Sequence, residues 1–549
     1  MSDNATVDIC AAGEHEPLLQ LDNVALSIHG TPILRGLSFA LAPGKTLGVI
    51  GESGSGKSMT ALSIMQLLPR GAQLSGSVSF DGQELTQLQE QSLCELRGSD
   101  IGMVFQEPMT ALNPVKNIGD QVSESVRLHR RVSRDEAEAI TLATLERVGL
   151  PNAQFPLSRY PHELSGGQRQ RVVIAIAVAC KPKLLIADEP TTALDVTTQA
   201  GILELLQDLQ REEGLGLMLI THDLAVVSNM ADDIVVMNQG VIVEQGAIQS
   251  VFRTPQNDYT KMLFSASRLT QIQRKRTPST HNDAPPKNAL LCVENLVCEY
   301  RMPRKGLWGR SGRFRAVDRV SFEIHEGESV GLVGESGCGK STLTRALLGL
   351  MPLHEGSISL AGESVSTQQA VSRTARQTMQ VVFQDPYGSF NPRHKVLRLV
   401  SEPLHVLDHR PTRDEARERV STVLESVGMH AQDCDKYIHE FSGGQRQRIA
   451  IARSLILKPR IIILDEAVSA LDVSVRAQVL QLLEELADKQ GLAYLFISHD
   501  LSVVQRVTDR VMVMRAGQIV EQGNTFDVFN APANAYTREL IGAAPVLTL

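Results

Sequence analysis

The chain has 549 residues, enough for two large domains or three to four of about 150 residues each. With 54 basic and 62 acidic residues its formal charge is −8, which argues against wholesale nucleic-acid binding, and 42% hydrophobic with 21% charged residues describes a folded chain rather than a disordered one. The longest apolar stretch, Val172 to Cys180, has nine residues where a membrane-spanning helix needs about 20, so the chain is not expected to cross a bilayer by itself.

Residues 1–17 read as an N-terminal tail with acids and no basic start to an apolar run, so no secretory signal is expected and the chain should remain in the cytoplasm. Seven cysteines (Cys10, Cys94, Cys180, Cys292, Cys298, Cys338 and Cys434) form no C-x-x-C pair. Free thiols are expected, with no disulfide framework, zinc ribbon or cysteine-held cluster.

One domain is written twice. GESGSGKS at Gly51 to Ser58 returns as GESGCGKS at Gly334 to Ser341, displaced by 340 − 57 = 283. LSGGQRQR from Leu164 returns from Phe441 with one change, Asp188-Glu189 returns as Asp465-Glu466, His222 as His499, and Tyr259-Thr260 as Tyr536-Thr537, all displaced by 277. This is a tandem duplication of a unit of roughly 250 residues. The first unit is read as residues 18–265 and the second as 289–549. Residues 266–288, with Ser, Thr, Pro and the Arg274-Lys275-Arg276 triplet, read as a linker, and the triplet as a solvated charge run. The second unit carries extra residues at Arg301 to Arg315, including Trp308, the single tryptophan. Contact with an anionic surface and a functionless exposed insertion both remain open for that loop.

In chain order, the apolar run Leu47–Ile50 predicts a strand, Gly51–Ser58 a loop, and Met59–Leu68 a helix. The second unit repeats this with Val330–Val333, Gly334–Ser341 and Leu343–Leu350. A G-x-x-x-x-G-K-[ST] loop between a strand and a helix is a specific phosphate-binding signal. Its glycines (Gly51, Gly54 and Gly56; Gly334, Gly337 and Gly339) let backbone N–H groups wrap phosphates, with Ser53, Ser55 and Met59, and Ser336, Cys338 and Thr342, alongside. Lys57 and Lys340 supply a point charge to the β- and γ-phosphates, and Ser58 and Ser341 an oxygen to Mg²⁺. Further on, Leu184–Ala187 and Ile461–Leu464 predict buried parallel strands, each ending in Asp-Glu where doubly wound folds bind ligands. Asp188 and Asp465 are the candidate outer-sphere holders of Mg²⁺, and Glu189 and Glu466 the candidate general bases or water orienters.

The order glycine loop, Phe105-Gln106 or Phe383-Gln384, Ser-Gly-Gly-Gln, Asp-Glu, Ala-Leu-Asp, Ser/Thr-His-Asp resembles the ATP-binding cassette (ABC) ATPases over nearly all of both halves. The resemblance implies an α/β fold: two tandem P-loop NTPase domains, each with a RecA-like core, an antiparallel β subdomain and a helical subdomain. It also implies two ATP molecules, each between one half's glycine loop and the other half's signature. Ser165, Gly166, Gly167 and Gln168 would then serve the Lys340 site, and Ser442, Gly443, Gly444 and Gln445 the Lys57 site. The serines are expected to cap a helix, and the glycines to admit close approach to the γ-phosphate. By the same resemblance Gln106 and Gln384 sense the γ-phosphate and Mg²⁺, His222 and His499 contact the γ-phosphate, and Asp195 and Asp472 lie at the seam between the halves. All catalytic residue types are present twice, so two hydrolytic sites are expected. Tyr300 takes the adenine-stacking position in the second half. Ile28 aligns with it in the first, leaving stacking by His29 or weaker binding as alternatives.

The segments after the glutamines, Glu107–Pro114 and Asp385–Pro392, together with the Tyr-Thr tails, resemble the ATPase subunits of bacterial dipeptide, oligopeptide, glutathione and nickel importers, in particular their fused two-cassette members. That resemblance implies two separate transmembrane permease subunits, an extracytoplasmic solute-binding protein acting indirectly, no nucleic acid, and a peripheral position on the cytoplasmic face of the bacterial inner membrane. A ribosome-acting tandem cassette is the alternative. The linker of 288 − 266 + 1 = 23 residues, with prolines, does not look like the long charged helical linker of that class.

Overall fold

The computed structural model describes residues 16–106, 108–192, 194–271, 289–302, 312–365, 371–384, 388–469 and 471–547. Trp308, the Arg274-Lys275-Arg276 triplet, Glu107 and residues 385–387 lie outside these. The chain divides into two units, with the main boundary between Ser265 and Ala266. The helix Asp258–Gln271 runs past that boundary into the stretch read from sequence as linker. Its buried positions include Thr260, Leu263, Phe264, Ala266 and Ser267. Small residues complete the helical stripe there, and they carry little hydropathy signal.

The first unit holds β1 (Leu19–Ile28), β2 (Thr31–Leu41), β3 (Thr46–Ile50), β4 (Ala72–Phe80), β5 (Gln83–Glu84), β6 (Ile101–Val104), β7 (Leu184–Asp188), β8 (Gly216–Ile220), β9 (Asp233–Asn238) and β10 (Val241–Ala247). One sheet is antiparallel, in the order β2-β1-β4-β5; the other has six strands in the order β10-β9-β3-β8-β7-β6, parallel except for β10. Alternation along the six-stranded sheet explains its two faces. Leu184, Ile186, Met218 and Ile220 pack with the antiparallel sheet and the helix Lys57–Ile64. Their neighbours Leu185, Ala187, Leu217 and Leu219 pack with the helices Ile118–Arg130, Arg134–Arg147 and Gly166–Val178. Both faces being covered, these strands read as continuous apolar runs rather than alternating ones.

The second unit repeats the plan with β11 (Leu291–Arg301), β12 (Arg313–Ile324), β13 (Ser329–Val333), β14 (Glu355–Leu360), β15 (Glu363–Ser364), β16 (Met379–Val382), β17 (Ile461–Asp465), β18 (Ala493–Ile497), β19 (Arg510–Arg515) and β20 (Gln518–Asn524). Its sheets run β12-β11-β14-β15 and β16-β17-β18-β13-β19-β20. Each unit is therefore an α/β cassette with a mainly parallel core, an antiparallel β layer and a helical layer, as the resemblance implies.

The helix after each glycine loop starts earlier and stops earlier than its apolar spacing suggests, at Lys57–Ile64 and Lys340–Leu347. Gly56 and Gly339 precede them in left-handed conformations (φ 102° and 114°), so the lysine itself is the first helical residue. Gln66 at φ 51° and Gly349 at φ 67° then turn the chain out of the helix.

Candidate functional site

Sheet order assembles the site. β3, β8, β7 and β6 are consecutive neighbours, and their carboxyl ends carry, in turn, the glycine loop, His222, Asp188-Glu189 and Gln106. Four motifs scattered over 172 residues of sequence, from Gly51 to His222, thus meet along one edge.

In the glycine loop, Gly51 has φ 154° and a Cβ there would overlap the Met237 carbonyl, so only glycine fits. The Lys57 ammonium is buried and donates to the carbonyl oxygens of Gly51 (2.7 Å) and Glu52 (2.9 Å). Lys340 does the same with Gly334 (2.6 Å) and Glu335 (2.9 Å). These carbonyls fix the direction in which each ammonium points.

Asp188, 4% exposed, forms a hydrogen bond with Ser58, while its Oδ1 is buried without a hydrogen-bond partner. Burial pushes its carboxyl above the usual range, the Ser58 bond opposes this, and the Glu189 charge adds to it. A buried, unpaired carboxylate oxygen beside a serine hydroxyl offers the oxygen donors a hard divalent cation takes, so the residues present fit Mg²⁺. Asp465 is likewise raised by burial and by Glu466, with Lys340, a Thr344 hydrogen bond and Arg345 opposing.

Glu189 accepts from Gln106 Nε2 (2.9 Å) and the Thr192 hydroxyl (2.9 Å), and His222 Nδ1 lies 3.3 Å away. Burial would raise its carboxyl, but the His222 bond and charge, then Thr192 and Lys57, outweigh burial and bring it down to about 2. Its backbone is left-handed (φ 48°), fixed by its N–H donating to the Ile220 carbonyl at 2.8 Å. Glu466 repeats the left-handed turn (φ 51°) and the histidine pairing, with His499 Nδ1 at 3.4 Å, and its carboxyl is also lowered, by His499 and Lys340 against burial. Among the described residues no bond joins Gln384 to Glu466, and the Ser469 hydroxyl donates to the Glu466 carbonyl rather than to its carboxylate.

Ser165 and Ser442 cap the helices Gly166–Val178 and Gly443–Leu455 in reciprocal boxes with Gln168 and Gln445, as expected from sequence. The two glycines of each signature differ in their surroundings. A Cβ at Gly167 or Gly444 would overlap Thr198 or Val475, so those glycines serve packing inside the cassette. Gly443 has nothing within 4 Å of such a Cβ, and Gly166 only Leu194 at 3.6 Å. Asp195 accepts from Thr197 (2.8 Å), and Asp472 stands at the start of the helix Val473–Gln490.

Tyr300 lies beside the second glycine loop, its hydroxyl 3.3 Å from that of Thr342. In the first unit the His29 ring packs against Gly71, where a Cβ would overlap it. Sequence reasoning missed Thr192, although it stands only three residues after Glu189. It also missed the role of Tyr259 and Tyr536, whose hydroxyls accept from the N–H groups of Glu52 and Glu335 at 3.2 Å. The Tyr-Thr repeat was the available signal.

The family description "ABC transporter" matches residues 34–192 and 317–469, covering the glycine loop and the Asp-Glu pair of both units. The chain belongs to the ABC transporter family. A second description, "Oligopeptide/dipeptide transporter, C-terminal region", matches residues 520–548 of this two-cassette ABC protein. Its relatives include the glutathione import ATP-binding protein GsiA of Escherichia coli (strain K12) and of Shigella sonnei (strain Ss046), each 47% identical over 543 residues, spanning 93% of this chain and 86% of theirs. Among solved structures, the dimeric post-hydrolysis state of the ATP-binding cassette MJ0796 with ADP and Pi aligns with 43% of this chain and 98% of its own, at 26% identity and a TM-score of 0.39. The ABC protein binds nucleotide through two cassettes and is an ATPase. No described helix is long and apolar enough to cross a membrane.

Proposed function

We propose that the chain hydrolyses ATP at two composite sites to drive import of peptides or peptide-like solutes, glutathione among them, through two separate permease subunits. The observation that carries this reading is the doubled edge of β3, β8, β7 and β6, and of their counterparts β13, β18, β17 and β16, where a buried lysine, an unpaired or raised aspartate and a histidine-paired glutamate converge. The glutathione import relatives and the match to an oligopeptide transporter C-terminal region support the solute class.

Each residue has a chemical task. Lys57 and Lys340, aimed by their carbonyl contacts, direct their remaining N–H donors to the β,γ-phosphates. Ser58 with Asp188, and Ser341 with Asp465, would hold Mg²⁺, with Gln106 and Gln384 at the end of the adjacent strand. The cation, when bound, neutralises phosphate charge. Glu189 and Glu466 orient the attacking water and accept its proton at a carboxylate oxygen, while His222 and His499 hold that carboxylate and contact the γ-phosphate. Ser442 to Gln445 complete the Lys57 site and Ser165 to Gln168 the Lys340 site. The open side of Gly443 supports this, since close approach there meets no atom of its own cassette. Asp195 and Asp472 lie along the same seam. Two bound ATP molecules favour the closed pair of cassettes and hydrolysis releases it, a shift that takes about 5.5 kcal/mol of differential binding to go nearly to completion.

The chain is placed on the cytoplasmic face of the membrane through its permeases, with the extracytoplasmic binding protein signalling through them. Reconstitution with both permeases and a loaded binding protein tests this: ATPase activity should rise, and indifference to both overturns the import reading. Co-sedimentation with ribosomes after salt washing would favour the translation-factor class instead.

A further inference from the structure

We propose that Tyr259 and Tyr536, in the segments after the antiparallel edge strands, are positioning residues for the glycine-loop lysines, each clamping the peptide unit that aims its lysine. The peptide between Gly51 and Glu52 is a rigid plane with its C=O and N–H on opposite sides. Its carbonyl, that of Gly51, accepts from the Lys57 ammonium at 2.7 Å, and its N–H, that of Glu52, donates to the Tyr259 hydroxyl at 3.2 Å. A rotation of this plane that moved the carbonyl off the lysine would also break the tyrosine contact. The second cassette repeats the arrangement, with Gly334 accepting from Lys340 at 2.6 Å and Glu335 donating to Tyr536 at 3.2 Å.

A chain of contacts fixes each tyrosine. Glu244 on β10 accepts from the N–H groups of Gln256 (2.7 Å) and Asn257 (3.1 Å), and Asn257 Oδ1 in turn accepts from the Tyr259 N–H (2.9 Å). Glu521 on β20, Ala533, Asn534 and Tyr536 form the same chain with the same distances. Thr260 and Thr537, the next residues in the helices Asp258–Gln271 and Ala535–Gly542, are fully buried. The relay therefore runs from edge strand through asparagine and tyrosine to the loop peptide and the lysine. It gives a physical task to the region that the oligopeptide-transporter description matches. Burial raises the Tyr536 phenol to about 12, so it stays a neutral hydroxyl across the physiological range. The Arg515 guanidinium lies 4.6 Å over the Tyr536 ring, whereas Asn238 takes that place in the first cassette (515 − 277).

The inference rests on the reading that the glycine loops hold ATP. Its test is steady-state ATPase and equilibrium ATP–Mg²⁺ binding of the full chain carrying Tyr259→Phe, Tyr536→Phe or both, with thermal unfolding in parallel. Losing one hydroxyl contact should raise the ATP KM and Kd of the double variant about three- to tenfold with a smaller change in kcat and little change in Tm. Unchanged KM and Kd in a double variant whose parent binds ATP overturns the positioning role alone, as does a fall in Tm with KM untouched, which marks a purely structural tyrosine. A parent chain that does not bind ATP overturns the glycine-loop reading and this inference together.

Discussion

The two cassettes carry the same motifs on the same strands, yet their catalytic edges are wired differently. In the first, Gln106 and Thr192 both bond the Glu189 carboxylate, and the Asp188 carboxyl pairs with Ser58. In the second, the Ser469 hydroxyl turns to the Glu466 backbone, and Asp465 is met by Thr344 and Arg345. The adenine side is unequal too, with Tyr300 beside Thr342 in the second cassette and a histidine packed away against Gly71 in the first. Motif identity therefore fixes which groups meet; neighbours one turn away set the charge state and grip with which they meet.

The sharpest way to break the comparison is to remove both glutamates. Glu189→Gln with Glu466→Gln should lower steady-state ATP turnover about 10²–10⁴-fold while leaving nucleotide binding intact. Unchanged turnover would reject their role, and a large loss from one single variant with none from the other would show that only one cassette fires.

A smaller effect separates the adenine sides. Tyr300→Ala should weaken nucleotide binding at the second cassette about tenfold, whereas Ile28→Ala should leave the first nearly unchanged. Photo-crosslinking of a labelled ATP analogue, resolved by cassette, reads the two sites separately, and equal losses would erase the asymmetry.

Adjacent carboxylates in the first cassette should respond to pH with opposite signs. Glu189 sits at about 2 against an ordinary 4.5, so its ionised form adds stability that is present above pH 4.5 and disappears as pH falls toward 2. Asp188 lies above its ordinary 3.8, so its contribution is present below that value and is lost as pH climbs through the folded value. At pH 7 without nucleotide, Glu189→Gln should therefore destabilise the chain by up to about 3 kcal/mol, whereas Asp188→Asn should stabilise it. Thermal melts at pH 7 and pH 4 check both, since each difference from the parent should shrink on acidification.

The smallest effect is also the most specific. Thr192→Val should let the Glu189 carboxyl rise, visible as an earlier acid limb in the stability profile. Ser469→Ala should leave the acid limb of Glu466 in place, because that hydroxyl never reaches the carboxylate. Matching shifts would mean that the two edges are not wired differently after all.

Much of this was legible in the sequence because repeated motifs leave exact spacing as a trace. The strand, loop and helix order, the Asp-Glu strand ends and the capping serines all follow from local residue pattern. The helix ends did not, since Gln66 and Gly349 leave the helix through backbone conformations that hydropathy does not register. Nor did the link from Tyr259 to Glu52, two residues 207 positions apart that only the folded unit brings together. The two faces of each signature, Gly166 open and Gly167 packed on Thr198, likewise need the neighbouring helix before they differ.

Glu189 and Glu466 both hold a left-handed backbone that an L side chain adopts only at a penalty of about 1 kcal/mol, one that glycine escapes. Glycine would relieve that penalty but forfeit the carboxylate's contacts with Gln106, Thr192 and His222 in the first cassette, so the strained turn is kept for what its side chain reaches. The tension sits at the tip of a core strand, in the part of the cassette least able to relax, so the carboxylate is aimed by a scaffold already under load before any nucleotide arrives.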